Sequence, residues 1–264
     1  MNIYKIEIEY FGANYFGFQI QLNKPTIQGE LHIAIEKIIH SKDFKTIGSG
    51  RTDAKVHAFF QVVKVEIPIK LSELALKNAL NSHLPMDIRV KNVAFSDENF
   101  HPIYSAVSKE YHYYFSNVET PSVFLREKMA NIKLPLNLKI MEEGCRLLCG
   151  EHEFVRFQCQ GTEVSTTVRK IFNCEIVKIE SSGLWSNYIS EYFVLKITGN
   201  GFLKQMVRLI MGAIWNLGLG KITLLEFEEA LRPIPLSEYK TIHLKKRLGP
   251  TAPPEGLYLM KVQY

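Results

Sequence analysis

The sequence predicts an α+β protein: two similar mixed α/β halves sharing a largely antiparallel sheet, with helices on one side and a central cleft expected to hold the active site. Three observations predict it. Strands of period two recur from the first residues to the last, amphipathic stretches of helical period alternate with them, and too few βαβ crossover units occur for a doubly wound parallel sheet. No Pro/Gly-rich linker or low-complexity tract separates the halves, which divide at residues 1–104 and 105–264.

The elements follow in order. Tyr4, Ile6, Ile8 and Tyr10 alternate with Lys5, Glu7 and Glu9, the pattern of a half-buried strand. After the glycine-containing loop FGANYFGFQ, Thr26 can cap a helix whose Ile27, Leu31, Ala34, Ile35 and Ile38 share one face. Val63, Val65 and Ile67 against Lys64 and Glu66 make a second strand. Ser72 opens a second helix, and Ile88 to Phe95 closes the first half as a strand.

The second half repeats the inventory. EYHYYF is an aromatic strand, and a helix spans Asn137 to Cys149 with Gly150 as its stop. Strands follow near Val168 to Ile179 and Tyr192 to Thr198. A longer helix runs from about Phe202 to Leu217, burying Leu203, Met206, Val207, Ile210, Ile214 and Leu217, with Gly218 as its stop. Thr223 and Glu226 form a capping box for the next helix. YLMKVQY alternates again as a last strand.

Composition narrows the class. The 264 residues are 46% hydrophobic and 11% aromatic, enough for a substantial core. No run reaches the roughly 18 apolar residues of a membrane span, and the opening MNIYKIEIEY lacks a leader pattern, so a cytoplasmic protein is expected. Lys and Arg number 32 against 27 Asp and Glu, a net charge of +5 that suits a polyanionic partner. The four cysteines, Cys145, Cys149, Cys159 and Cys174, form no C-x-x-C pair. Cys145, Cys149, His152 and Cys159 have loosely metal-like spacing, but Leu138, Met141, Cys145 and Leu148 make an ordinary apolar stripe, and core cysteine is the expectation.

The densest chemistry lies in Gly48-Ser49-Gly50-Arg51-Thr52-Asp53-Ala54. Its spacing fails the G-x-x-x-x-G-K-[ST] pattern of a phosphate loop. From spacing alone it reads equally as a glycine turn with a surface ion pair or as a catalytic carboxylate loop.

The resemblance to a family decides between those readings. GSGRTDAKVHA from Gly48 to Ala58 resembles the active-site signature of the TruA family of tRNA pseudouridine synthases. YFGANYFGFQIQ with TIQGEL, FHPIYSAVSKEYHYYF, GEHEFVRF, TVRKI, GNGFLKQMVRLIMG and GPTAPPEGLYL are similar to further family segments in the same order. The resemblance implies tRNA as partner, a homodimer, no cofactor or metal, and uridines of the anticodon arm as targets. It implies Asp53, Tyr111 and Arg208 as the catalytic group, with Arg51, Thr52, His57, Lys109 and Lys204 binding substrate. Lys55 replaces a usual glycine, Phe18 a usual tryptophan and Ile103 a usual arginine, and Phe59-Phe60 stands where a glycine commonly precedes the glutamine.

The chemistry is consistent with those residue types. Pseudouridine formation breaks the bond from C1′ to N1, turns the uracil and joins C1′ to C5, with nothing oxidised. A carboxylate can act as nucleophile at the sugar or as base, and a buried one needs a partner such as Arg208 to stay ionised. Tyr111 could stack on uracil and move a proton at C5. Arg51 could pair with phosphate or stack on a base once the uridine is extruded. Lys245, Lys246 and Arg247, with Lys204, are candidates for backbone contacts. A non-catalytic RNA-binding module would have no special need of Asp53, and a zinc deaminase would need the H-x-E…P-C-x-x-C pattern that the sequence lacks.

Overall fold

The computed structural model describes residues 1–159, 164–233 and 247–264, so Lys245 and Lys246 lie outside the described residues. The chain divides into two units: Met1–Lys109 with Tyr258–Tyr264, and Glu110–Leu257. Mixed α/β structure with a mostly antiparallel sheet is borne out.

In the first unit, β1 (Asn2–Tyr10) pairs antiparallel with β3 (His57–Ile67) and β4 (Ile88–Phe95), setting Ile6 opposite both Val63 and Val93. The short β2 (Lys45–Gly48) also pairs with β3. The last strand, β10 (Leu257–Gln263), lies parallel to β3, with Tyr258 opposite His57. The strand order is therefore β4-β1-β3-β10. Tyr4, Ile6, Ile8 and Tyr10 are all buried, as the alternation requires.

Two helices complete this unit. In α1 (Ile27–Ile39), the Thr26 side chain accepts the Gly29 N–H at 3.2 Å. In α2 (Glu73–His83), Ser72 accepts from Ala75 at 3.2 Å. Both caps lie where the sequence places them, because a cap needs only its own first turn.

In the second unit the order is β5-β9-β8-β7: β5 (Ser108–Ser116, entering from the first unit), β9 (Glu191–Gly199), β8 (Val168–Glu180) and β7 (Gly150–Glu153). The two-residue β6 (Ala130–Asn131) pairs parallel with β5. Among the described residues its helices are α3 (Leu138–Leu148), α4 (Met206–Gly218) and α5 (Leu224–Glu229), the last with its Thr223/Glu226 capping box. Phe154, Phe157 and Phe227 form a chain of edge contacts, 5.9 Å at each step, in the core.

Helix α4 corrects two boundary expectations. It starts at Met206 rather than near Phe202, because Gln205 takes a left-handed conformation (φ 63°) as its N-cap. Gly218 is not its stop but its last turn, and Gly220 (φ 66°) supplies the left-handed residue beyond it. Gly218 is needed for space instead: a Cβ there would lie 2.6 Å from the Met141 sulfur.

Cys145 lies buried in α3 beside Cys174 of β8, and that contact, with burial second, pushes the Cys174 thiol well above its ordinary value. Cys149 is exposed at the end of the helix. No helix among the described residues is long and apolar enough to cross a membrane.

Candidate active site

In the first unit, the segment Gly48–Val56 is clamped along its length. Ser49 donates its backbone N–H to Val62 at 2.8 Å and its hydroxyl to the Gln61 side-chain oxygen. The Gln61 amide nitrogen donates to the Gly50 carbonyl at 3.0 Å, and the Lys109 ammonium donates to the Ser49 carbonyl at 2.6 Å. Ser49 and Gln61 are fully buried, so these bonds satisfy groups that water cannot reach.

The far side is held by the loop after β1. Phe18 donates its N–H to the Thr52 carbonyl at 3.1 Å, and Lys55 donates to Tyr15 at 3.0 Å. The Thr52 hydroxyl shares a buried 2.8 Å hydrogen bond with the Tyr10 hydroxyl. Two glycines make the approach possible. Gly17 has φ 97°, and a Cβ there would lie 2.5 Å from the Thr52 carbonyl oxygen; a Cβ on Gly12 would overlap the Val56 carbonyl. These supports were not singled out in the sequence; the glycines of FGANYFG were their only trace.

Asp53 itself opens a turn closed by the Val56 N–H donating to the Asp53 carbonyl at 3.2 Å. Lys55 is the third residue of that turn, with φ 66°, the position where a type II turn holds positive φ and favours glycine. The lysine therefore holds a conformation that favours glycine, at a backbone cost of about 1 kcal/mol. Thr52 points inward, Asp53 is half-buried and Arg51 is exposed, so the alternation presents one inward anchor between two outward functional groups.

His57 is placed differently from a substrate contact. It is 1% exposed, and its ring is stacked between Phe11 and Tyr258, each 4.5 Å away between centroids. Its Nδ1 accepts the Gly12 N–H at 3.0 Å, which puts the proton of the neutral ring on Nε2. As placed, it supports the glycine clamp and has no face open to a ligand.

In the second unit, β5 turns Tyr111, Tyr113 and Phe115 inward, all buried. Tyr111 meets Phe202 edge-on at 5.1 Å. Tyr113 donates its hydroxyl to Pro253 at 2.7 Å, and burial holds its phenol well above the ordinary value against the lowering effect of Arg208. On the other face, burial lowers His112 despite the Glu110 carboxylate 2.7 Å away.

Arg208 sits on α4, where 11 of 13 residues are buried; only Arg208 and Asn216 are not. Both reach the segment before β10. Arg208 donates Nε to the Ala252 carbonyl at 2.7 Å while Ala252 donates back to the Arg208 carbonyl at 3.1 Å, and Asn216 donates to Leu248 at 2.7 Å. Gly212 lies between them, where a Cβ would overlap the Pro250 carbonyl oxygen. The Nε bond fixes the plane of the guanidinium, which a lysine could not reproduce. Lys204 is exposed on the turn before α4, its carbonyl accepting from Cys159 at 3.1 Å. Arg51, Thr52, Asp53, His57 and Lys109 thus gather in the first unit, and Tyr111, Lys204 and Arg208 belong to the second.

Comparison with known proteins gives consistent matches along the chain. The family described as tRNA pseudouridine synthase matches residues 6–105 and 145–264. The sequence is 37% identical over 260 residues to tRNA pseudouridine synthase A of Geobacillus sp. (strain WCH70), covering 98% of this chain and 97% of that protein. It is 36% identical over 265 residues to the protein of that name from Thermosipho melanesiensis, covering 100% of both. Against that of Lactococcus lactis subsp. lactis it is 35% identical over 265 residues, covering 100% of this chain and 98% of the relative.

Proposed function

The chain belongs to the tRNA pseudouridine synthase family, and from that membership we propose that Asp53 is the carboxylate with which it isomerises uridine in the anticodon arm of tRNA. The observation that carries the assignment is the clamp around Gly48–Val56. It immobilises Thr52 by a buried hydrogen bond and leaves the next residue, Asp53, half-buried between an inward anchor and a tight turn. A carboxylate held this way keeps its position without rearranging during the reaction, which is what positioning catalysis needs.

The reaction breaks the glycosidic bond from C1′ to N1 and forms one from C1′ to C5, after which the C5 proton leaves and N1 regains one. Asp53 serves this as nucleophile at the ribose or as base, and either role requires the ionised form. Tyr111 moves the proton at C5, and Arg208 supplies positive charge on a guanidinium whose plane is fixed by Ala252. Arg51, exposed beside Asp53, takes the phosphate or base displaced when the uridine is extruded. No cofactor enters, since the isomerisation is redox-neutral. A tRNA substrate suits a cytoplasmic protein, and a homodimer is the expected assembly, readable by sedimentation.

Release of tritium from C5-labelled tRNA tests the reading. Wild type is expected to release it, while Asp53→Asn binds tRNA within about threefold and releases none above background. Primer extension after carbodiimide treatment is expected to stop in the anticodon arm. Release by Asp53→Asn at the wild-type rate would remove the carboxylate from the mechanism. Binding without release by wild type would make the chain a non-catalytic RNA-binding module.

A further inference from the structure

The first unit, which holds the Asp53 loop, also carries an aromatic surface that the reaction above does not use. His101 and Tyr104 lie with ring centroids 4.3 Å apart at 31°, yet Tyr104 is 84% exposed. The pair is built into its turn. His101 Nδ1 accepts from the backbone N–H groups of Ile103 at 3.2 Å and Tyr104 at 3.4 Å. Ser105 donates its N–H to the His101 carbonyl at 2.9 Å, and its hydroxyl oxygen accepts the His101 N–H at 3.1 Å. An outward ring held in this way loses little side-chain entropy when a second ring stacks on it.

The turn is tied to the last residue of the chain, and the strand that follows it reaches the Asp53 loop through Lys109. The Tyr264 hydroxyl donates to the Pro102 carbonyl at 3.0 Å. Phe100 meets the same ring edge-on at 5.1 Å, and the Lys5 ammonium lies over it at 4.4 Å. Ser49 begins the segment that carries Arg51 and Asp53, and its carbonyl accepts from Lys109. An exposed aromatic face, an exposed guanidinium and a carboxylate therefore stand on one braced framework, all in the first unit.

We propose that Tyr104, backed by His101, is a stacking platform for a nucleobase of the tRNA substrate that loses its neighbour when the target uridine is extruded. The proposal rests on the reading of the chain as a tRNA-modifying enzyme acting through the Asp53 loop. The occupant follows from the chemistry: removing one base from a stack exposes the face of the next, and a fixed aromatic ring replaces that contact whatever the base. Ile103, between the two residues in sequence, gives the turn no cation, so the platform holds a base rather than a phosphate.

The test compares Tyr104→Ala, Tyr104→Phe and Tyr104→Ile for tRNA binding by filter retention across a salt series, with tritium release in parallel. Tyr104→Ala and Tyr104→Ile are expected to lose roughly 10-fold in affinity, and Tyr104→Phe to stay within about twofold, as ring stacking predicts. The slope of affinity against salt stays at the wild-type value, because no phosphate contact is removed. Thermal melting confirms folding, which the exposed position favours. Wild-type affinity for Tyr104→Ala overturns the proposal, as does equal loss in Tyr104→Phe, which would assign the effect to the hydroxyl. A platform for a protein partner would likewise leave tRNA affinity unchanged. Absence of tritium release by wild type would defeat the catalytic reading separately, since the affinity series is read without turnover.

Discussion

Substituting alanine at three glycines separates the two physical demands made on the loop after β1. Gly220 has φ 66° with nothing within 4 Å of a built Cβ, so Gly220→Ala meets only backbone strain, about 1 kcal/mol. Gly12 lies outside the positive-φ set, so Gly12→Ala meets only the Val56 carbonyl, an overpacking cost of about 1–3 kcal/mol. Gly17 meets both, with φ 97° and a Cβ 2.5 Å from the Thr52 carbonyl oxygen and 3.1 Å from the Asp53 carbonyl carbon. Those neighbours are backbone atoms and cannot rotate aside, so Gly17→Ala is expected to lose about 2–5 kcal/mol. In a protein of this size that is a fall in melting temperature of about 4–20 °C, against about 2–4 °C for Gly220→Ala. Part of the strain can relax by moving Thr52 and Asp53, so tritium release should also fall by more than about 10-fold at a temperature where the variant is folded. Scanning calorimetry and the tritium assay read the two effects. If Gly17→Ala melts no lower than Gly220→Ala and keeps its rate, the clamp does not position Asp53.

The same turn predicts that Lys55→Gly leaves stability within about 1 kcal/mol of wild type, whereas Lys55→Ile loses about 2 kcal/mol, because a β-branched residue tolerates positive φ least; urea unfolding distinguishes them. Ellman's reagent at pH 8 should label exposed Cys149 rapidly and reach Cys145 and Cys174 only on unfolding, since the contact with Cys145 and burial hold the Cys174 thiol up. Burial lowers both His32 and His112 below their ordinary value, so the unfolded chain binds more protons near pH 6. Stability from these groups is therefore complete above about pH 6.5 and is lost as pH falls through their folded values. Replacing both by glutamine should flatten the decline in unfolding free energy measured from pH 7 to pH 5.

Much of the local structure was legible along the chain. Thr26, Ser72, Asn137 and Thr223 each cap the helix that follows, and β4 runs from Ile88 to Phe95 as expected. Caps and periodicity act over one to four residues, so the determinants lie within reach of one another in sequence. Asp53, Tyr111 and Arg208 are proposed on other grounds, ordered resemblance to family segments; spacing alone left the Asp53 loop open between a turn and a site.

Other features depended on residues far apart in the chain. Gly218 reads locally as a helix stop, but its lack of a side chain serves Met141. His57 reads as a substrate-binding residue near Asp53, but Phe11 and Tyr258 enclose it, the latter through a parallel pairing of β10 with β3. Arg208 is oriented by Ala252, and Thr52 is anchored by Tyr10. The alternating and helical patterns set which side of each element is apolar, but not which distant atom it meets. That choice is made only when the sheet and helices pack, and the clamp around Asp53 belongs to it.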